Sequence, residues 1–184
     1  MMTRILIFVF LCFAITGRAQ VDSSSEKHYL YQPEKFSPPV QAMIKQFEGF
    51  PSTPLEAPDL EGNKHTIGGY RGKVTLLFFW RAIPGEGDFL FGQMNKIVEK
   101  YPTKVKVLSF ADEPKDRVLP FLEERPVQFP VIANAKMLSE AVYGSELGYP
   151  RIFVIDEFGI IKRVLPAVVL TEGINLDEML TLYF

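Results

Sequence analysis

The stretch FFWRAIPGEGDF, residues 78–89, sets two carboxylates, Glu86 and Asp88, two positions apart where a helix is expected to open, with Arg81 just upstream. A carboxylate in a closed pocket can act as an acid or base when its surroundings shift its pKa. At a helix start the plainer role is to complement the macrodipole, each carboxylate contributing about 0.3–1 kcal/mol. Other reactive side chains are sparse. His28 and His65 lie far apart, without a cluster of metal-ligand types or a serine arrangement suited to hydrolysis. Gly68-Gly69 is a turn and not a phosphate loop, because no lysine–serine/threonine pair follows it in register. The one cysteine is Cys12. Thiol–disulfide exchange begins with attack by a thiolate, so the chain beyond residue 12 cannot perform it alone. No cofactor is expected.

Cys12 sits in a leader-like segment. Residues 1–19, MMTRILIFVFLCFAITGRA, have a basic start at Arg4, an apolar stretch, and small residues at Gly17 and Ala19. That is the pattern of a signal peptide cleaved before Gln20, so export to the periplasm is expected. The apolar stretch falls short of the about 20 residues a bilayer span needs, and Leu11 before Cys12 argues against lipid attachment. Removing 19 residues from 184 leaves 165, enough for one domain with its own core. A formal net charge of −2 recommends no nucleic acid as partner. Residues 20–39, which include Ser23–Ser25, read as a polar arm or linker, and residues 40–184 as the domain.

Within the domain, residues 40–50 place Met43, Ile44 and Phe47 on one helical face. A turn at Glu61-Gly62-Asn63 suggests a small hairpin. The run VTLLFFW, residues 74–80, reads as a strand buried on both faces. Leu90, Met94, Ile97, Val98 and Tyr101 mark a helix over about 86–101. A strand follows at 104–110, then a helix over 114–125 that Pro120 is expected to bend. Residues 129–133 are short and extended. A helix over 135–143 ends at Gly144, a hairpin joins 151–156 to 160–165, and Asn175 caps a final helix to residue 184. This order predicts an α/β fold: a mixed sheet with helices on both faces.

Three segments resemble the thioredoxin superfamily, in its branch of envelope thiol–disulfide oxidoreductases of the TlpA and ResA type, close to the AhpC/TSA-related redoxins. The first is Ala57-Pro58-Asp59-Leu60 with Gly62 and Tyr70-Arg71-Gly72-Lys73-Val74. The second is Phe79-Trp80. The third is Tyr143-Gly144, Gly148-Tyr149-Pro150 and Phe153-Val154-Ile155-Asp156 with Gly159. The resemblance implies a thioredoxin-like sheet with an N-terminal hairpin extension and a cis-proline at Pro150.

The resemblance also exposes a departure. It places Pro84 and Gly87 where that branch carries its two redox cysteines. The family's thiol–disulfide and peroxidase activities are therefore not expected. The resemblance implies that the Pro150 loop faces the old motif, bringing Glu86 near Arg151. Such a meeting is either an ion pair that closes the vacated site or a charged site for a ligand, the ion pair being the plainer reading. It also makes Tyr149, Pro150, Arg151, Glu86, Ile83 and Trp80 the candidate ligand-binding residues, with Trp80 equally a core residue. The expected role is non-catalytic binding of an envelope protein or extended peptide. The alternatives are a redox accessory relying on a partner's cysteine and a non-redox enzyme using Glu86 or Asp88.

Overall fold

The structure, a computed structural model, describes residues 31–69, 72–171 and 173–183. The expected leader with Cys12, the serines 23–25, His28, and the Tyr70-Arg71 pair lie outside the described residues.

The run VTLLFFW forms β3, Val74–Trp80, buried at all seven positions. It is the middle strand of a five-stranded sheet ordered β5-β4-β3-β6-β7. β4 (Val105–Ala111) and β5 (Val131–Ile132) continue it in parallel, whereas β6 (Arg151–Ile155) and β7 (Ile161–Leu165) add antiparallel strands. The expected N-terminal hairpin is a separate pair, β1 (Leu55–Pro58) and β2 (Lys64–Ile67). The fold is thioredoxin-like: a mixed sheet flanked by helices, as the order of elements predicts.

Alternation along β3 divides the core in two, since successive strand side chains point to opposite faces. Leu76, Phe78 and Trp80 pack beneath α2 (Asp88–Lys100), α3 (Lys115–Glu124), α5 (Ala167–Thr171) and α6 (Leu176–Leu180). Leu77 and Phe79 pack on the other side with Ile44 of α1 (Pro38–Phe47) and with Tyr143 and Leu147, which follow α4 (Lys136–Ala141). Aromatic contacts are dense on both faces. Trp80 meets Phe91 edge-on at 5.0 Å, and Phe79 stacks on Phe110 at 4.8 Å. Among the described residues no helix is long and apolar enough to cross a membrane.

Three elements differ from the sequence reading. The chain after Leu165 turns into α5, because Pro166 opens a helical turn and its carbonyl accepts from Val169 and Leu170. The final helix is shorter than residues 175–184, closing at Leu180 before a 3₁₀ turn at Thr181–Tyr183, although Asn175 does cap it by accepting from Glu178 N–H. The described part of the expected arm is also held against the body. Tyr31 donates to Glu48 Oε1 at 2.5 Å, and the Arg163 guanidinium lies 4.9 Å from the Tyr31 ring.

Glu48 is the joint. Its Oε1 also accepts from Val164 N–H at 3.0 Å, and its Oε2 pairs with Arg163 at 3.4 Å. Glu48→Ala should therefore lower stability by about 1–2 kcal/mol, through the unpaired Val164 N–H and the loosened Tyr31. Urea denaturation measures that loss.

Candidate functional site

The site lies at the C-terminal ends of β3 and β4, the end where ligands of parallel sheets bind. Trp80 pairs in register with Ala111, so the residues leaving these strands, Arg81 and Asp112, emerge side by side. The loop after β3 turns back through Glu86 N–H to the Ile83 carbonyl, and α2 starts at Asp88. Only Asp88 of the two carboxylates sits in the first helical turn; Glu86 precedes the helix. Gly87 occupies the N-cap with φ +78°, the left-handed region. A Cβ at Gly87 would approach Pro150 Cγ to 3.0 Å, so the glycine lets the loop close onto the proline ring. The Tyr149–Pro150 peptide is cis.

The expected meeting of Glu86 and Arg151 does not occur. Arg81 takes Glu86 in a bidentate pair, Nε to Oε2 at 2.9 Å and Nη2 to Oε1 at 2.5 Å. Asp88 Oδ2 accepts from Arg125 Nε at 2.9 Å and from Gly85 N–H at 3.2 Å. Arg151 is 0% exposed and points into the sheet. Its register explains the correction. Arg151 stands opposite Phe79 in the antiparallel pairing, so it shares the Phe79 face, beneath the surface that carries Glu86.

There Arg151 Nη2 donates to the Ser139 carbonyl at 2.5 Å and to Ser139 Oγ at 2.6 Å, and Nη1 to the Gly148 carbonyl at 2.8 Å. The guanidinium lies 4.4 Å from the Tyr149 ring centroid and 5.2 Å from that of Phe79. The Tyr149 hydroxyl shares a hydrogen bond with Ser139 Oγ. Asp112 completes this buried group. Burial raises its carboxyl above the usual range, while the nearby Tyr149 and Ser139 hydroxyls and the Arg151 charge pull it part of the way back. Burial likewise raises the Tyr149 phenol and lowers the Arg151 guanidinium from their ordinary values. The chemistry this arrangement supports is positional: a charged, hydrogen-bonded block under Tyr149 fixes the loop ahead of Pro150.

The six candidate residues are thus sorted by the structure. Ile83 is 44% exposed, Glu86 and Tyr149 are half-buried, and Trp80, Pro150 and Arg151 are buried. The buried three shape the site from within and present no open surface to a ligand. Pro84 is exposed and Gly87 buried. Neither offers a nucleophile. Sequence reasoning missed Asp112, Ser139 and Phe89. Asp112 had a readable signal, its place one residue past a parallel strand. Phe89 in the first turn of α2 is 44% exposed, beside Pro84–Gly87.

His65 has a single carboxylate partner among the described residues. Its Nε2 lies 2.8 Å from Asp59 Oδ2 across the hairpin, while Asp59 Oδ1 accepts from the Glu61 and Asn63 N–H groups. The His65 hydrogen bond, followed by those backbone donors, lowers the Asp59 pKa from 3.8 to about 2. A carboxyl lowered by folding stabilises fully above its unfolded value, and that contribution is lost as pH falls through the folded value. Thermal unfolding followed between about pH 4 and pH 2 should show this loss, and Asp59→Asn should remove that share of the dependence. Among the described residues no group of three or more His, Cys, Asp or Glu side chains is placed to hold a metal.

The AhpC/TSA family profile matches residues 48–164, which contain both the hairpin and the Pro150 loop. The chain belongs to that family. It is 30% identical over 120 residues to the thiol-disulfide oxidoreductase ResA of Geobacillus thermodenitrificans, covering 64% of this chain and 68% of the relative. It is 26% identical over 118 residues to the thioredoxin-like protein YneN of Bacillus subtilis, covering 59% and 68%. Among solved structures, StoA of Bacillus subtilis superimposes with a TM-score of 0.53 at 20% identity, over 67% of this chain and 97% of that one. The likeness to StoA shows the fold. The family match spans residues that contain no cysteine.

Proposed function

We propose that this family member is an exported, non-catalytic binding module that engages an extended peptide or protein segment on the face vacated by the redox motif. The observation that carries this reading is the pairing of a built loop with an open rim. Tyr149 and Pro150 are fixed by the buried Arg151 block, while Ile83 and Phe89, on either side of Pro84–Gly87, remain 44% exposed each. A rigid loop presenting a backbone edge, flanked by apolar side chains, suits a chain added in extended form. The leader at residues 1–19 supports export to the periplasm. Glu86 and Asp88 are each paired with an arginine in the free protein, which favours binding over acid–base chemistry.

Affinity capture from envelope extract, run with and without reductant, tests this, using the protein beside an Ile83→Asp, Phe89→Asp variant. A partner held by the first and lost by the folded variant is the expected result. Equal capture by both moves the interface elsewhere. A complex that dissolves on reduction would instead point to a redox accessory working through a partner's cysteine.

A further inference from the structure

The vacated loop is dense in donors, and its own carboxylates sit on them. Glu113 Oε2 accepts from Ala82 N–H at 2.8 Å, Asp88 from Gly85 N–H and Arg125, and Glu86 from Arg81. Of these, the Arg81–Glu86 pair leaves its arginine the more exposed partner. Arg81 is a side chain still 41% exposed, against 20% for Glu86. Its guanidinium lies 5.1 Å from the Tyr149 ring centroid, over the residue that precedes Pro150. That stacking holds the planar fork toward the binding face whether or not Glu86 fills it.

We propose that Arg81 is the specificity residue of this face, that Glu86 occupies it in the free protein, and that the recognised segment carries a carboxylate side chain that takes Glu86's place. The inference rests on the face being a chain-binding site. A bidentate fork already holding a carboxylate is matched to another one in geometry as well as charge. The exchange replaces one bidentate carboxylate on the fork by another, so the charge-assisted bonds lost by Glu86 are regained with the segment, and a released Glu86 returns to water. The exposed Ile83 side chain supplies an apolar contact beside the fork. Glu113 and Asp88 stay on their own donors, so Glu86 is the one group that must move.

The test is a nuclear magnetic resonance titration of the ¹⁵N-labelled protein, read at the Ala82, Gly85 and Tyr149 amides. The probes are the capped peptides Ala-Val-Glu-Val-Ala and Ala-Val-Gln-Val-Ala. The protein should prefer the glutamate peptide. Glu86→Gln should tighten that peptide about fivefold, the equivalent of about 1 kcal/mol, and leave the glutamine peptide unchanged. Arg81→Leu should erase the preference. If both peptides shift these amides equally in every variant, chain binding stands and the carboxylate inference falls. If neither peptide moves them at millimolar concentration in any variant, both fall.

Discussion

Arg151→Met is expected to destabilise the protein by about 3 kcal/mol at neutral pH, a shift of roughly 6–12 °C in Tm for a chain of this size. Methionine keeps much of the volume between Phe79 and Tyr149, so a cavity is not the main cost. The loss comes from acceptors. The Ser139 and Gly148 carbonyls each lose a charge-assisted donor at 2.5 and 2.8 Å, and a buried unpaired acceptor costs about 1–3 kcal/mol. Removing a buried guanidinium also relieves its desolvation, which offsets part of this. Against that stands Asp112, whose buried carboxylate loses the nearby Arg151 charge. Its pKa, already raised, should rise further. A carboxyl whose folded pKa lies above its unfolded value favours folding when protonated, so the deficit of Arg151→Met should shrink as pH falls. Adding Asp112→Asn should recover part of the stability at neutral pH. Urea denaturation of the two variants across pH measures both effects.

Gly87→Ala is expected to cost about 1–3 kcal/mol, the penalty for holding a side chain in the left-handed region, with the Pro150 ring displaced by a few tenths of an ångström. Gly87→Cys should cost at least as much, because Cβ meets Pro150 Cγ at 3.0 Å before any sulfur is placed. Placing cysteines at both positions, Pro84→Cys with Gly87→Cys, should consequently give a less stable protein in its reduced form. Thermal unfolding under reducing conditions checks this, and a double variant as stable as the parent would refute the steric account. The backbone at Gly87 closes on the Pro150 ring and leaves little room for a β-carbon.

The fold was legible because its strongest signals are local. VTLLFFW is apolar at every position but Thr75, as a central strand buried on both faces can be, and the apolar spacing from Leu90 to Tyr101 is helical. The segment after Leu165 was not legible. AVVLT is too short to show a helical period, yet Pro166 and burial of Val169 and Leu170 against the sheet make it α5. The site was legible as a place and not as a set of pairs. Ion-pair partners depend on which face of a strand a residue takes, and that is set by register. Arg151 opposite Phe79 faces inward, leaving Glu86 to Arg81, five residues away through a tight turn. The Asp59–His65 contact is hidden for a related reason, since the hairpin pairs Ala57 with His65 and closes the gap across strands.

The central claim is that the vacated redox face holds a partner without thiol chemistry. The most direct measurement is photocrosslinking in cells, with a photoreactive residue at Ile83 and, as control, at Phe158. Phe158 is 63% exposed but lies in the β6–β7 turn at the opposite end of the sheet. The account predicts a discrete adduct from position 83, none from 158, and the same adduct after reduction. An adduct from 158 with none from 83, or one at 83 that reductant abolishes before crosslinking, would contradict it.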